Sequence, residues 1–550
     1  MRQAILEFLS SDFSKIKNAN QMSELKRRLA KKYGDAMLLH SELLPEIKEI
    51  LKNQNISSKD RANLEAATLL LKKRAIRTLS GIAPVAVLTK PYPCPGNCAY
   101  CPNEPDVPTS YLSNEPAVMR AIRCQYDPYR QVALRLKALE NNGHEPNKIE
   151  VIVIGGTWSY LPEKYKFWYI LNCFKAANDY PRLKLPEDPN EDSRLKLADA
   201  LIKKIKSPYK QNLNLIDLKK KLLAEQNKNT KAKYKIIGLT LETRPDYIND
   251  QELLEMRQLG ATRVEIGVQA VDDKILALNN RGSNTQDIAN ATKLLKDYGF
   301  KVTYHFMPAL PGSTPKRDLE MFQELFSNQN YQPDQIKFYP TVVTKGSLLY
   351  KWYKAGKYQP YSDQELESLI ARCKALVPPY VRIIRLIRDI PGESIIAGNL
   401  ITNLRQVMQQ KGVKCNCIRC REIKDKPMDV KKAKLDIIKY PASDGTEYFL
   451  SYNSPDGQDL YGFCRLRIST KSPISPAIIR ELHVYGQLVP VGKTKKVQHS
   501  GLGQKLMKEA EKIAKKNKAQ TIAIISGIGV RGYYQKLGYK LQKTYMKKTL

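Results

Sequence analysis

At 550 residues with 42% hydrophobic content, the chain exceeds one ordinary domain and can bury two or three cores. Lys and Arg number 91 against 55 Asp and Glu, a formal net charge of +36 that folding does not require and that implies a polyanion, nucleic acid first. Ten cysteines over this length exclude a disulfide-stapled scaffold, and no run approaches the ~18–20 apolar residues of an ordinary membrane-spanning helix.

The first segment, Met1-Arg-Gln-Ala-Ile-Leu-Glu7, carries charge inside a short apolar stretch, so no signal peptide is expected and the chain should be soluble and cytoplasmic. Residues 1–80 read as helices. Ile5, Phe8 and Leu9, then Met22, Leu25 and Leu29, recur at helical spacing. Lys26, Arg27, Arg28, Lys31 and Lys32 surround the second set, and a basic helix of this kind can lie on an RNA backbone.

Ile82–Leu88 reads as a strand, and three cysteines follow it as Cys94-x3-Cys98-x2-Cys101. One loop at a strand's carboxyl end can aim three thiolates at one face of a cubane 4Fe-4S cluster. Three ligands for four irons leave one iron open to chelate the amino and carboxylate groups of S-adenosylmethionine, which is the ligand economy of radical chemistry. A structural zinc knuckle is the competing reading, but it wants a fourth ligand.

From residue 81 onward strands and helices alternate. Candidate strands are Ile82–Leu88, Ile149–Ile154, Ile236–Leu241, Arg263–Val268, Lys301–Phe306 and Gln335–Val342, separated by helical patterns such as Gln251–Leu259 and Gln286–Tyr298. The pattern predicts an α/β fold, a partial (β/α)6 barrel over residues 81–400, with functional groups at the strands' carboxyl ends. Gly155-Gly156-Thr157 stands at one such end and lets backbone approach a ligand, here the amino group of S-adenosylmethionine. Glu242-Thr243-Arg244 ends the next strand, its carboxylate suited to ribose hydroxyls. Glu265 and Gln269 share a face of the fourth strand, and Gln269 is a candidate cofactor contact. His305 ends the fifth and carries no assigned role. Residues 181–235, with Lys219-Lys220-Lys221, read as a lysine-rich, partly helical insertion on the barrel surface.

Cys415-x-Cys417-x2-Cys420 falls in a linker, residues 401–430. This spacing predicts zinc held by three cysteines and a fourth ligand from elsewhere, Cys464, Cys373 or a histidine; a second iron–sulfur cluster is the alternative. Over residues 431–550 the style changes. Strands are expected at Leu435–Lys439, Glu447–Tyr452, Leu460–Ile468 and Ile478–Val484, then a helix opened by Gln498-His-Ser-Gly501-Leu-Gly503, a strand at Thr521–Ile525, and a helix bearing Tyr533 and Tyr534. Free N–H groups at a glycine-rich helix start favour a pyrophosphate. This order predicts a GNAT-type acyl-CoA acetyltransferase domain.

Long phrases over both halves carry a resemblance: Glu115-Pro-Ala-Val-Met-Arg-Ala-Ile-Arg123, Gly238-Leu-Thr-Leu-Glu-Thr-Arg-Pro-Asp246, Glu265-Ile-Gly-Val-Gln269, Asn280-Arg-Gly282, Arg388-Asp-Ile-Pro391, Glu481-Leu-His-Val-Tyr-Gly486 and Ile525-Ser-Gly527. From Thr78 to the end, the chain resembles the Elongator catalytic-subunit family, radical S-adenosylmethionine tRNA uridine acetyltransferases. The resemblance implies cluster ligation by Cys94, Cys98 and Cys101, and acetyl-CoA contacts by Lys148, Glu481, Leu482, His483, Val484, Leu502, Gly503, Gln504 and Tyr534. Tyr533, Tyr534 and Lys148 are the candidate catalytic groups. It further implies a radical abstracting hydrogen from the acetyl methyl, attack on C5 of the wobble uridine, and hydrolysis to 5-carboxymethyluridine. The implied partners are the tRNA anticodon loop and acetyl-CoA; the helical basic segment 1–80 is expected from its charge to bind tRNA. A homodimer or Elongator-like subunits are compatible with it. A protein lysine acetyltransferase, a non-catalytic tRNA-binding scaffold and a radical methylthiotransferase are the competing readings. The x3 cysteine spacing is more compact, and the 181–235 insertion longer, than the family pattern.

Overall fold

The computed structural model describes residues 2–34, 38–53, 55–71, 81–183, 209–210, 212–401, 403–424, 426, 428–485 and 501–550. Four helices, Arg2–Leu9, Ala19–Tyr33, His40–Lys52 and Ser58–Leu71, pack around Phe8, Met22, Leu29, Leu43 and Leu64 as a core of their own. Asn18 caps the second of these helices by accepting from Asn20 and Gln21, and Gly34 ends it in the left-handed region at φ 62°. Lys26, expected on the exposed basic face, is instead buried, because it falls beside Leu25 and Leu29 on the inner stripe; Arg27, Arg28, Lys31 and Lys32 are exposed.

The first sheet holds β1 (Ala83–Leu88), β2 (Lys148–Ile154), β3 (Lys235–Thr243), β4 (Arg263–Gln269), β5 (Lys301–Phe306) and β6 (Gln335–Phe338). A short antiparallel pair, β7 (Val343–Thr344) and β9 (Ile395–Ala397), flanks β8 (Arg382–Arg385) in sequence. All ladders of the first sheet are parallel, in the order β1-β2-β3-β4-β5-β6-β8. Seven strands therefore replace the six expected. Helices cover the outside, where Ala83, Val85 and Val87 of β1 and Ile149, Val151 and Val153 of β2 are buried. The alternate residues Pro84, Ala86, Glu150 and Ile152 face the barrel's hollow and stay partly accessible.

Of the expected insertion, residues 184–208 and 211 lie outside the described residues. Its second half is the helix Leu215–Asn229, whose Leu218 and Leu222 are buried beside the helix Glu163–Asp179. Lys219 pairs with Glu163 at 2.8 Å and lies 4.8 Å from the Phe167 ring centre. That helix is thus a covering helix packed on the barrel's outer layer.

The second sheet runs β10 (Lys434–Ala442), β11 (Gly445–Asn453), β12 (Leu460–Ile468), β13 (Ala477–Val484), β14 (Thr521–Ile524), β15 (Lys540–Gln542) and β16 (Tyr545–Thr549). Its order is β10-β11-β12-β13-β14-β16-β15, antiparallel except between β13 and β14. The helix Leu502–Lys516 buries Leu506, Met507, Ala510 and Ala514 against Leu450, Cys464, Leu466 and Ile479 of this sheet. The sheet's other face joins the barrel: Phe449, Phe463 and Ile528 belong to the same core cluster as Ile236 and Leu259.

Candidate active site

Docking is at the amino ends of the barrel strands. A side chain at Gly527 would bring its Cβ within 1.9 Å of the Ile237 carbonyl oxygen, and one at Gly529 within 2.6 Å of Lys235 Cβ. The cysteine loop lies at the opposite, carboxyl end. One cavity of about 1720 Å³ connects the two ends along the strands' inner faces. It starts among Lys148, Lys235 and Lys301 and reaches Cys101, Tyr111 and Gln269. Seven-residue β2 spans most of that depth, ~20 Å at ~3.3 Å per residue.

Apolar branched residues usually fill a barrel interior. Here it is charged. Glu265 accepts from Lys337 Nζ and lies 3.0 Å from His305 Nε2. Burial opposes its charge, but Lys337, His305 and Arg263 outweigh burial and hold the carboxyl well below its usual range. Arg263 pairs with Glu150 at 2.9 Å and donates to Thr240 and Gln335, each at 2.8 Å, so it crosses four strands.

The cysteine loop is fixed by backbone bonds: Ala99 N–H to Asn279 O (3.0 Å), Asn103 N–H to Gly346 O (3.1 Å) and Leu349 N–H to Ala99 O (2.7 Å). Arg281 donates to the Gly267 carbonyl and to Cys98 Sγ, the latter at 3.6 Å. Donation from Cys101 outweighs burial and, with Arg281, lowers the Cys98 thiol to about 5. Arg244 is clamped by Asp246 (3.0 and 2.9 Å) and by the Arg281 carbonyl (2.8 Å). A Cβ at Gly96 would strike Arg244 Nη1 at 2.1 Å, so only glycine lets the loop close on this guanidinium.

Gly155 and Gly156 have φ 126° and 100°, and a Cβ at Gly155 would meet Thr89 Oγ1 at 2.3 Å. Thr157 follows, its Oγ1 4.0 Å from Cys94 Sγ. Gln269 adopts φ 68°, and its buried Oε1 has no hydrogen-bond partner among the described residues. Glu242 accepts from Tyr111 OH at 3.0 Å and lies 3.7 Å from His305 Nδ1. Glycine clearance, an orphaned amide oxygen and a favoured thiolate fit an iron–sulfur cluster with an amino-acid-bearing ligand. The cavity wall includes Cys101, Glu242 and Gln269; Cys94, Cys98 and Gly155–Thr157 stand outside that wall.

At the other end, the wall includes Lys148, Glu481, Leu482, His483, Val484, Gly503, Gln504, Tyr533 and Tyr534. Leu502 is buried in the core instead. Glu481 accepts from Arg465 Nε at 2.9 Å and lies 3.5 Å from Lys301 Nζ; these cations outweigh burial and pull its carboxyl down to about 2. The His483 ring stacks near Phe463 (5.9 Å between centres, 5° between planes). Burial, with Lys235 nearby, lowers Lys148. Gly501, at φ 80°, starts the helix Leu502–Lys516 without a side-chain cap among the described residues. A Cβ at Gly503 would come within 2.8 Å of Tyr533 OH, so glycine admits that hydroxyl to the helix start. Gln498, His499 and Ser500 of the expected cradle lie outside the described residues.

The sulfurs of Cys415, Cys417 and Cys420 lie within 4.8 Å of one another. Cys415 and Cys420 both favour the Cys417 thiolate, holding that thiol far below its ordinary value. Such tight grouping suits ligands of one ion. No fourth Cys, His, Asp or Glu joins them among the described residues. Cys373 is buried on the helix Asp363–Leu376, and Cys464 within β12.

Residues overlooked in the sequence include Arg281, Lys337, Tyr111 and Arg388, whose guanidinium lies 5.3 Å from the Tyr111 ring centre. Arg281 and Arg388 do fall in the quoted phrases Asn280-Arg-Gly282 and Arg388-Asp-Ile-Pro391.

A family model described as the Radical SAM superfamily matches residues 92–325, and one described as the Radical_SAM C-terminal domain matches 333–412. The chain is 41% identical over 496 residues to the tRNA uridine(34) acetyltransferase of Dehalococcoides mccartyi, covering 87% of this chain and 100% of that one. It is 40% identical over 511 residues to Elongator complex protein 3 of Homo sapiens, covering 87% and 86% of the two chains. Among solved structures it is similar to the archaeal Elp3 of Methanocaldococcus infernus lacking residues 1–46, at a TM-score of 0.69 and 37% identity, covering 86% of this chain and 99% of that one.

Proposed function

The chain belongs to the tRNA uridine(34) acetyltransferase family, which includes Elongator complex protein 3, and we propose that it forms 5-carboxymethyluridine, or its precursor, from acetyl-CoA at the wobble position of tRNA. The observation that carries the reading is the single cavity joining the cysteine loop to the Gly501–Gln504 helix start. C5 of uracil is a poor target for ordinary acyl transfer, so a carbon radical explains why a radical half-barrel and an acyl-CoA fold share one chain.

Cys94, Cys98 and Cys101 would hold a 4Fe-4S cluster, with Gly155, Gly156, Thr157, Glu242 and Gln269 around S-adenosylmethionine. When bound, this pair supplies one-electron hydrogen abstraction from the acetyl methyl. Cys101 and Arg281 favour the Cys98 thiolate, Arg281 anchors it, and Arg244 closes the loop. Residues 431–550 are read as the GNAT-type domain. There the N–H groups after Gly501 would take the pyrophosphate of acetyl-CoA. Glu481–Val484 and Gln504 line its arm, and Lys148 faces it from the barrel. Tyr533, whose hydroxyl lies beside Gly503, and Tyr534 would contact the CoA portion near the helix start. Since the two ends of the cavity are ~20 Å apart, the acyl arm must extend into the barrel, and the charged interior keeps that passage hydrated. The exposed Arg27, Arg28, Lys31 and Lys32 contribute backbone affinity for tRNA. Cys415, Cys417 and Cys420 would hold zinc, with a fourth ligand from elsewhere.

The test is anaerobic reconstitution with iron, sulfide and a reductant, followed by S-adenosylmethionine, acetyl-CoA and tRNA, with nucleosides analysed by mass spectrometry. Carboxymethyluridine and 5′-deoxyadenosine are expected together, and Cys98→Ala should abolish both. Acetylation of lysine peptides without S-adenosylmethionine, and no modified uridine, would overturn the reading.

A further inference from the structure

Beside the cysteine loop the barrel carries a strip of tyrosines that the site above leaves unused. Tyr92 lies two residues before Cys94. Tyr160 closes the short turn Trp158–Tyr160 that follows Gly155-Gly156-Thr157. Tyr247 closes the turn Pro245–Tyr247 after β3. Their rings meet edge to face: Tyr92 and Tyr160 centres are 6.0 Å apart, Tyr160 and Tyr247 centres 5.9 Å. Tyr209 packs on Tyr165 and Trp168 (ring centres 5.2 and 5.5 Å), and Lys90 Nζ joins it to the strip, 5.1 Å from the Tyr209 ring and 5.2 Å from the Tyr165 ring. Tyr160 is 42% exposed, and Tyr92, Tyr209 and Tyr247 are partly exposed.

Core tyrosines would be covered. These present ring surface to solvent, interleaved with a cation, on a chain of net charge +36. Every nucleobase has a π-face, and aromatic side chains interleaved with cations bind single strands through those faces. The strip borders the cysteine loop, since Tyr92 stands two residues before Cys94 and Tyr160 three after Thr157, whose Oγ1 lies 4.0 Å from Cys94 Sγ. A base removed from its stack exposes its neighbours, which then need a surface to stack on.

We propose that Tyr92, Tyr160, Tyr209 and Tyr247, with Lys90, form a stacking platform for single-stranded RNA, holding the bases that flank the one entering the site. This rests on the tRNA-modifying reading above but needs no cofactor to test. Binding of the full chain to a labelled anticodon stem-loop and to a blunt RNA duplex would be measured by fluorescence anisotropy over a range of salt. Tyr160→Ala and Tyr247→Ala should each weaken stem-loop binding about 5- to 100-fold, while Tyr160→Phe keeps it. The slope of affinity against salt should not change, because a tyrosine releases no counterions. Duplex binding should be equal in all variants. Alanine variants that bind the stem-loop like the parent would overturn the proposal and leave the strip to a protein partner. Equal loss in Tyr160→Phe would overturn stacking in favour of the hydroxyl. Should an alanine variant also lose the duplex through misfolding, Tyr160→Trp decides: weaker stem-loop binding than the parent's overturns the platform. A parent that fails to bind tRNA at all overturns the functional reading itself.

Discussion

Arg480 of β13 donates hydrogen bonds of 2.7 and 2.6 Å to the two carboxylate oxygens of Asp334, across the boundary between the sheets. Asp334 also accepts from Val302 N–H at 2.9 Å, just ahead of β6. Arg480 continues to Glu447 (3.1 and 2.8 Å), and Arg467 joins Glu447 (3.3 Å) to Asp297 (2.6 Å). All five side chains are buried. Removing one partner of such a pair leaves an uncompensated buried charge, at about 3–5 kcal/mol. Asp334→Ala should therefore lower unfolding stability by that amount in urea titrations. Arg480→Met should cost less in the Asp334→Ala background than alone, because the two changes share one interaction.

Acid should loosen the same boundary. The Glu481 carboxyl sits near 2 in the folded chain against an ordinary 4.5, since Lys301 and Arg465 outweigh burial. Between those values the unfolded chain binds more protons, so stability rises with pH there. The contribution, about 3 kcal/mol, is complete above the ordinary value and is lost as pH falls toward 2. Urea midpoints at pH 6, 4 and 3 should show it, and Glu481→Gln should flatten the limb.

Regular alternation made β5, Lys301–Phe306, and β12, Leu460–Ile468, legible to the residue. Arg382-Ile-Ile-Arg385 was not: four residues with a charge at each end carry no period, and only the edge of β6 makes them a strand. The lysine-bearing hairpin β15–β16 escaped for a similar reason. Glu265 and Gln269 were readable as inward because strand period fixes the face. The partners Lys337, 72 residues away from Glu265, and Arg281, 183 away from Cys98, are set by the barrel's curvature, which no local pattern encodes. The same is true of where the Gly501 helix start lies. Two glycine-rich motifs suggest ligands, but only the packing of Gly527 on Ile237 sets them toward opposite ends of the barrel strands.

Gly527 should tolerate no side chain. The atoms its Cβ would meet, Ile237 O at 1.9 Å and Ile237 C at 2.4 Å, are backbone and cannot swing away. Gly527→Ala should cost at least the ~1–3 kcal/mol of ordinary overpacking and weaken acetyl-CoA binding by shifting the wall. Gly532→Ala is the control: nothing lies within 4 Å of its added methyl, so thermal unfolding should be unchanged or slightly raised.

The linker triplet should be structural. Cys417→Ser should remove bound zinc, measured by elemental analysis, and lower the unfolding temperature, while leaving the iron content of reconstituted protein intact. Cys98→Ala should do the reverse. Equal loss of both metals in either variant would contradict two separate centres.

Gln269 offers a test in which stability and binding move in opposite directions. Its φ of 68° is a conformation that costs a non-glycine residue of order 1–3 kcal/mol, and glycine adopts it freely. Part of that gain is offset by the extra backbone entropy glycine loses on folding. Gln269→Gly should therefore raise unfolding stability by about 1 kcal/mol. The same change deletes the buried Oε1 that has no partner among the described residues, so S-adenosylmethionine affinity should fall, as read by calorimetry on reconstituted protein. Gln269→Asn separates the two effects. Asparagine tolerates the left-handed region better than most residues, so stability should hold, but its amide is one methylene shorter and binding should still weaken. A Gln269→Gly chain that lost stability and bound S-adenosylmethionine normally would mean that the backbone, not the amide, is what the fold requires there.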